Sequence, residues 1–241
     1  MPRLYQSRAF PNNPTRLLQC HVDTPYAHTL THIHAIMLIL ASSSPRRRQL
    51  LAALGIPFTI DVADIDESRL GDESPRAHVR RLAETKARTV AVRHPQDVVL
   101  AADTIVVLDG RILGKPGSPD EARAMLQALR DRDHQVITAV AVAHAGDVSS
   151  DLDISTVIMR SYTDAEMDAY IASGDPMDKA GAYAIQHPGF QPVARLDGCF
   201  AGVMGLPLAL TARLLSDAGL TPAAHWPHNC YAITGRCCQL T

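Results

Sequence analysis

Residues 36–48 read Ile36-Met37-Leu38-Ile39-Leu40-Ala41-Ser42-Ser43-Ser44-Pro45-Arg46-Arg47-Arg48. The apolar run is the length of a short buried strand. It ends in a row of hydroxyls, and a proline then opens a helix. Proline suits the first helical position because its missing N–H has no partner there anyway. Arginines normally favour the opposite end of a helix, where they offset the macrodipole. Three at the positive end therefore cost stability unless an anion lies across them. Hydroxyls, free backbone N–H groups and guanidinium forks all donate to phosphate. A solvated basic helix start is the alternative that this segment leaves open.

Downstream, strand and helix patterns alternate. The helix predicted over 45–54 closes at Gly55, and 57–62 reads as a second strand. Pro75 opens a helix to about residue 92. Residues 97–108 form a nearly continuous apolar run with a polar break at Asp103-Thr104, as expected of a buried strand. Asp109-Gly110 signals a hairpin turn. Ser118-Pro119-Asp120-Glu121 starts another helix. Two long strands are expected over 136–145 and 148–160. A helix over 163–172 follows, capped by Thr163 with Glu166 three residues on. Residues 174–186 read as a polar loop, 193–200 as a strand and 205–218 as a last helix. This interleaving predicts an α/β fold with a large, mainly buried sheet.

Residues 1–36 are rich in Pro, Asn, Thr and His and show no period, which predicts a disordered N-terminal extension. Met37 stands where the first strand begins and is a candidate natural start. Beyond Gly219 periodicity is lost, so 220–241 is expected to be a tail.

The 241 residues suffice for one sizeable domain. A net charge of −2 implies no general attraction to nucleic acid or anionic membrane. Aromatics make up only 5%, with no basic-aromatic stripe, which further disfavours a nucleic-acid module. The five cysteines include no C-x-x-C pair, which fits a reducing cytoplasm better than a disulfide framework. The apolar run is too short to span a membrane. Its end resembles a secretory cleavage site, but the preceding stretch is too long and polar, and an amphipathic helix follows directly.

Several residues have the makings of a site. Asp103 inside an apolar strand is costly unless paired or bound to a cation. It reads either as a cap on a neighbouring loop or as a carboxylate at the carboxyl end of a central strand, acting as base or metal ligand. Gly110 to Lys115 imitates a phosphate-binding P-loop but fails it, having three residues between the glycines and proline after the lysine. Lys115 alone, Lys86 on its helix and Asp66-Glu67 in an acidic loop each have a plain solvated reading. His134 and Thr138 could simply cap their strand, and His32 and His34 are poor metal ligands. The 174–186 segment interleaves small, polar and aromatic residues, a composition more typical of a binding loop than of a connector. The flat amide of Gln186 matches the adjacent donor and acceptor on a uracil or thymine edge. Together, Arg46, Arg47, Lys86 and Lys115 supply positive charge, and Ser42, Ser44 and Thr104 supply hydroxyls. Glu67 and Asp103 can hold Mg²⁺ or Mn²⁺, which prefer oxygen ligands. That is a kit for metal-assisted attack on a polyphosphate.

In order, Ala41-Ser42-Ser43-Ser44-Pro45-Arg46-Arg47, Asp66-Glu67, Glu84-Thr85-Lys86-Ala87, Ala102-Asp103-Thr104, Gly114-Lys115-Pro116, His134-Gln135-Val136-Ile137-Thr138, the 174–186 segment and Gly205-Leu206-Pro207 strongly resemble the Maf family. These are nucleoside triphosphate pyrophosphatases once called septum-formation inhibitors. The resemblance runs from about Met37 to Gly219. It implies a Maf or inosine-triphosphate-pyrophosphatase-like fold of two lobes, with a central mixed sheet, a cleft between the lobes and usually a homodimer. It implies hydrolysis of a nucleoside triphosphate to the monophosphate and diphosphate with a divalent cation. The catalytic aspartate falls on Asp103, and the positions that tune substrate choice fall on Arg46, Thr104 and Gln186. Lys179, Tyr183 and Gln186 resemble the dTTP/UTP subgroup. The subgroup acting on 7-methyl-GTP has Ser-Phe and a Glu in that stretch, which this chain lacks. Ala184 and His187-Pro188 stand where glycines are common, so an altered loop path near the base is expected.

The expectation is thus in-line attack of water on the α-phosphorus. Asp103 serves the water, Glu67 and Asp103 hold the metal, and Arg47, Lys86 and Lys115 face the leaving diphosphate. Its rivals are a pyrophosphatase for modified or purine nucleotides and a nucleotide-sensing regulator of cell division without turnover.

Overall fold

The computed structural model describes residues 36–236. The expectations for the N-terminal extension and for His32 and His34 fall outside the described residues. The strands are β1 (Leu38–Leu40), β2 (Phe58–Ile60), β3 (Val98–Leu108), β4 (Arg111–Leu113), β5 (Asp133–His144), β6 (Asp147–Met159) and β7 (Val193–Asp197). The helices are α1 (Pro45–Ala52), α2 (Pro75–Ala91), α3 (Pro119–Leu129), α4 (Asp164–Ala172), α5 (Phe200–Met204), α6 (Leu208–Asp217) and α7 (Trp226–Thr234).

The strands form one mixed sheet in the order β2-β1-β3-β5-β6-β7, with β4 also pairing on β3. β1 runs parallel to β2 and β3, and the other pairings are antiparallel. β1 reads as a continuous apolar run because both of its faces are covered. Leu38 and Leu40 pack with Leu50, Leu51, Leu208 and Leu215 on one side. Ile39 packs with Val79, Ala83, Val90 and Val99 on the α2 side. A third cluster, under α3 and α4, gathers Val106, Leu126, Tyr162 and Tyr170.

One gap in the ladder positions the site. β3 pairs with β1 through Val98, Val99 and Leu100, and with β4 through Val106, Val107 and Leu108. On that edge residues 101–105 have no strand partner, and Asp103 and Thr104 lie there. Asp103 is therefore in the middle of β3 rather than at its carboxyl end, and β3 runs unbroken through the polar pair. The carboxyl end that matters belongs to β1, which stops at Leu40 and hands over to the Ser42–Ser44 turn.

Three expectations need correction. The helix expected over 205–218 is α6 and starts only after Pro207; Gly205, with φ 116°, instead ends a separate short helix, α5, that the sequence reading did not expect. The chain beyond Gly219 is tied back onto α1. Ala223 N–H donates to Leu54 O at 2.8 Å and Asn229 Nδ2 to Ala53 O at 3.0 Å, while Cys230 of α7 is buried. α1 itself stops at Ala52, and Gly55 is a positive-φ turn residue packed so closely that a Cβ would lie 2.8 Å from Ala223 Cβ.

Candidate active site

A cleft of about 680 Å³ opens at the gap in the ladder, lined by the 41–47 turn, Glu67, α2, the middle of β3, the β4 end and the 178–186 loop. That size suits a small-molecule ligand. Every site residue expected from sequence lines it: Ser42, Arg46, Arg47, Glu67, Lys86, Asp103, Thr104, Lys115, Lys179 and Gln186.

At its floor, Lys86 Nζ lies 2.7 Å from Asp103 Oδ1 and 2.7 Å from Glu67 Oε1. The Lys86 and Asp103 side chains are only 10% and 11% exposed, whereas Glu67 is 57% exposed on its loop. A long helical side chain reaches the strand because α2 packs its Val79, Ala83, Ala87 and Val90 stripe on the sheet. Burial would raise the Glu67 pKa, but the hydrogen bond and charge of Lys86, with Lys115 and Arg47, outweigh it and hold the carboxyl below its ordinary value. Asp103 Oδ2 takes no hydrogen bond among the described residues.

Arg47 forms the second element. Nε donates to Gly205 O at 2.9 Å, Nη1 to Ser42 Oγ at 3.4 Å and Nη2 to Thr104 Oγ1 at 3.1 Å. Thr104 Oγ1 lies 3.0 Å from Thr138 Oγ1, which donates to Gly202 O at 2.8 Å. A chain of contacts therefore runs from α1 across β3 and β5 to α5. Burial lowers the guanidinium pKa, an effect that Asp103 opposes and Arg46 reinforces. The N-cap of α1 is Ser44, whose Oγ accepts from Arg47 N–H at 3.4 Å. Arg48 is exposed and lies outside the cleft lining.

The late loop supplies the third wall. It holds two short 3₁₀ turns, and positive φ falls on Gly181 and Ala182 rather than on Ala184. A Cβ on Gly181 would lie 3.0 Å from Val106. Tyr170 OH donates to Asp175 Oδ2 at 2.7 Å and accepts from Ala184 N–H at 3.0 Å. Tyr183 OH meets His134 Nε2 at 2.7 Å, and His134 Nδ1 has no partner among the described residues. Gln186 is exposed on the cleft wall. Arg46 Nη1 reaches Asp178 Oδ2 at 3.4 Å, joining α1 to this loop.

Lys179, expected among the substrate-binding residues, lines the cleft and is held by its own loop. Its ammonium donates to Asp175 O at 2.6 Å, Asp175 Oδ1 at 3.0 Å and Asp178 Oδ1 at 2.6 Å. An ammonium has three donors, so all are taken by the loop's own oxygens. Lys179 shapes the wall instead of offering a free donor. Tyr170 and His78 are participants that the sequence reading did not name, and Gly205 and Thr138 were quoted there without a role in the site. The only signal for His78 was its spacing of eight from Lys86 on one helix.

A divalent cation fits the floor. Two carboxylates already share one positive charge at 2.7 Å each, and Mg²⁺ sites commonly use one or two carboxylates plus substrate phosphates. No cluster of three or more His, Cys, Asp or Glu suited to a metal occurs among the described residues, so substrate oxygens would complete the shell.

Comparison with known proteins gives the family. The family model described as "Maf-like protein" matches residues 37–218. A dTTP/UTP pyrophosphatase of Thermomicrobium roseum is 54% identical over 76% of this chain and 84% of its own. One of Halalkalibacterium halodurans is 46% identical over 76% and 97%, and one of Myxococcus xanthus 51% over 76% and 93%. Among solved structures, a HAM1 protein from Coxiella burnetii aligns with a TM-score of 0.42 at 16% identity, over 76% of this chain and 98% of that one. That likeness is too loose to carry an argument. With the motifs gathered around one cleft and the match spanning three-quarters of the sequence, the chain belongs to the Maf-like protein family.

Proposed function

We propose that the protein is a nucleoside triphosphate pyrophosphatase acting on dTTP and UTP. The observation that carries this reading is the cleft floor, where Asp103 and Glu67 share Lys86 while Arg47 is fixed alongside. The names of the relatives give the substrate class, and Gln186 with Tyr183 on the wall gives a place for a pyrimidine edge.

In the reaction, water oxygen bonds to the α-phosphorus and the bond to the β-bridging oxygen breaks. The electron pair leaves with the diphosphate, and the water proton passes to Asp103. Lys86 fixes Oδ1, so Oδ2 is the oxygen left for that proton. Arg47, Lys86 and Lys115 place positive charge against the phosphates. A well-placed donor of this kind is worth about 3–4 kcal/mol in a transition state. Glu67 and Asp103 would hold a Mg²⁺ or Mn²⁺, which would supply charge neutralisation at the phosphates.

We place Arg46, tied to Asp178 of the late loop, and Thr104, tied to Arg47 and Thr138, among the residues that select the nucleotide. We take the working form to be a homodimer in the cytoplasm that has no nucleic-acid partner. The net charge of −2 supports the last point. Among the described residues no helix is long and apolar enough to cross a membrane.

The test is a panel of nucleoside triphosphates with pyrophosphate release measured for each. Preferred release from dTTP and UTP supports the reading. Preference for a purine or modified nucleotide corrects the substrate, and stoichiometric binding without product makes the protein a sensor.

A further inference from the structure

His78 lies in the cleft and has no part in the chemistry above. It is 6% exposed, on α2. His78, Leu82 and Lys86 all line the cleft, and their spacing of four puts them on one helix face. Eight residues of helix separate His78 from Lys86 by about 12 Å along the axis. Side chains on a helix lean toward its N-terminus, so the long Lys86 stem closes part of that distance.

The ring is held from one side. Its Nδ1 lies 3.1 Å from Glu73 Oε2. Arg81 grips the same carboxylate, with Nε 2.8 Å from Oε1 and Nη2 3.0 Å from Oε2. Arg81 Nη2 is also 3.3 Å from Nδ1. A carboxylate can only accept, so the shorter contact, to Glu73, is a hydrogen bond when Nδ1 carries the proton, and Arg81 then spends its donors on the same carboxylate. The bonds from Arg81, opposed by burial and aided by His78 and the Leu70 N–H, hold Glu73 at about 2. Glu73 is therefore ionised at neutral pH. Nε2 is the remaining polar atom of the ring, and it makes no hydrogen bond among the described residues. Arg81 also donates to Ser68 O at 2.9 Å, which fastens the loop carrying Glu67 to α2.

We propose that His78 is a phosphate-binding residue. It does so as the imidazolium: with Nδ1–H on Glu73, Nε2–H donates to the distal phosphates of the nucleoside triphosphate and to the diphosphate that leaves. This rests on the reading of the cleft given above. With the α-phosphate at Asp103 and the base toward Gln186 on the late loop, the distal phosphates extend to the opposite side. That side is formed by α2, which packs on the sheet face away from the late loop. Glu73 keeps Nδ1–H in place, so the ring meets phosphate as an oriented donor instead of a free rotor. Leu82, between the two polar residues, gives the phosphates an apolar wall.

The test measures affinity for inorganic pyrophosphate, and separately for dTMP, by calorimetry with Mg²⁺ present. The variants are His78→Phe, His78→Gln and Glu73→Gln, each checked by its thermal melt. His78→Phe removes one charge-assisted hydrogen bond and should weaken pyrophosphate binding about tenfold or more. Affinity for dTMP should stay within twofold. His78→Gln keeps a donor near Nε2 and should fall between wild type and His78→Phe. Glu73→Gln leaves the ring unoriented and should also weaken pyrophosphate binding. Pyrophosphate affinity unchanged in His78→Phe overturns the assignment. Equal loss in the Phe and Gln variants also overturns it, because the ring would then act through its packing. Turnover of UTP by the wild-type protein tests the underlying reading separately. An inactive wild type defeats that reading, whereas an active one with unchanged pyrophosphate affinity in His78→Phe defeats only this inference.

Discussion

Lys86 Nζ lies 2.7 Å from Asp103 Oδ1, joining the middle of α2 to the middle of β3 beside the gap between β1 and β4. Both groups are largely removed from water, so neither charge is tolerable without the other. Lys86→Met should therefore destabilise the fold by about 3 kcal/mol, the scale for breaking a buried ion pair. Turnover should fall at least a hundredfold. Adding Asp103→Asn should recover most of the stability and none of the activity. Denaturant melts of the two single variants and the double variant measure the coupling, and additive losses of stability would contradict it.

Gly205 is required twice. Its φ of 116° suits only glycine, and its carbonyl accepts from Arg47 Nε. An added Cβ would also lie 3.5 Å from Arg47 Nε and from Thr104 Oγ1. Gly205→Ala should cost about 1–3 kcal/mol through backbone strain and raise KM for the triphosphate by loosening Arg47. A variant with wild-type Tm and KM would show that the Gly205 turn does not hold the guanidinium.

Tyr170 ties both ends of the late loop through one hydroxyl. Tyr170→Phe leaves the Ala184 N–H without this partner and should cost about 1–3 kcal/mol. Selectivity between pyrimidine and purine triphosphates should narrow while turnover of the best substrate changes little. Unchanged substrate ratios would place the base elsewhere in the cleft.

His134 is buried, and burial pulls its pKa down to about 4, against a small upward pull from Asp133. The folded state thus resists a proton that the unfolded chain takes up near 6.5. Stability from this source is present above pH 6.5 and is lost as pH falls toward 4. From the size of the shift the loss is on the order of 3 kcal/mol. Urea midpoints of wild type should fall across that window, and those of His134→Phe should be flatter. Parallel pH profiles would remove His134 as the cause.

Chelation bears on the floor carboxylates. EDTA should abolish turnover, and added Mg²⁺ or Mn²⁺ should restore it. Glu67→Gln should raise the metal concentration needed for half-maximal rate, with less effect on the melt because Glu67 is mostly exposed. A chelator-resistant rate would leave Lys86 as the only cation on the floor.

Much of this molecule was legible in its sequence because the informative signals were local. Pro45, Pro75 and Pro119 each open a helix, with Ser44, Ser74 and Ser118 as caps. The apolar run from Val98 predicted a central strand, and its misfit Asp103-Thr104 marked the cleft. What was misread depended on distant partners. Gly205-Leu206-Pro207 looks like the start of a helix, yet it is the join between α5 and α6, held by Arg47 from the far end of the chain. Residues 220–234 lack a clear period because α7 is short and buries only part of its surface, but they are fastened to Ala53 and Leu54. Asp103 was placed at a strand end because a single chain cannot show that β1 and β4 leave a gap beside it.

The central claim is that this cleft directs water to the α-phosphorus of a nucleoside triphosphate. Hydrolysis of dTTP in ¹⁸O-labelled water, with the products read by ³¹P NMR, tests it most directly. The account predicts label in the monophosphate, none in the pyrophosphate, and no turnover by a folded Asp103→Asn variant. Label in orthophosphate or in pyrophosphate, or near-wild-type turnover by that variant, would contradict it.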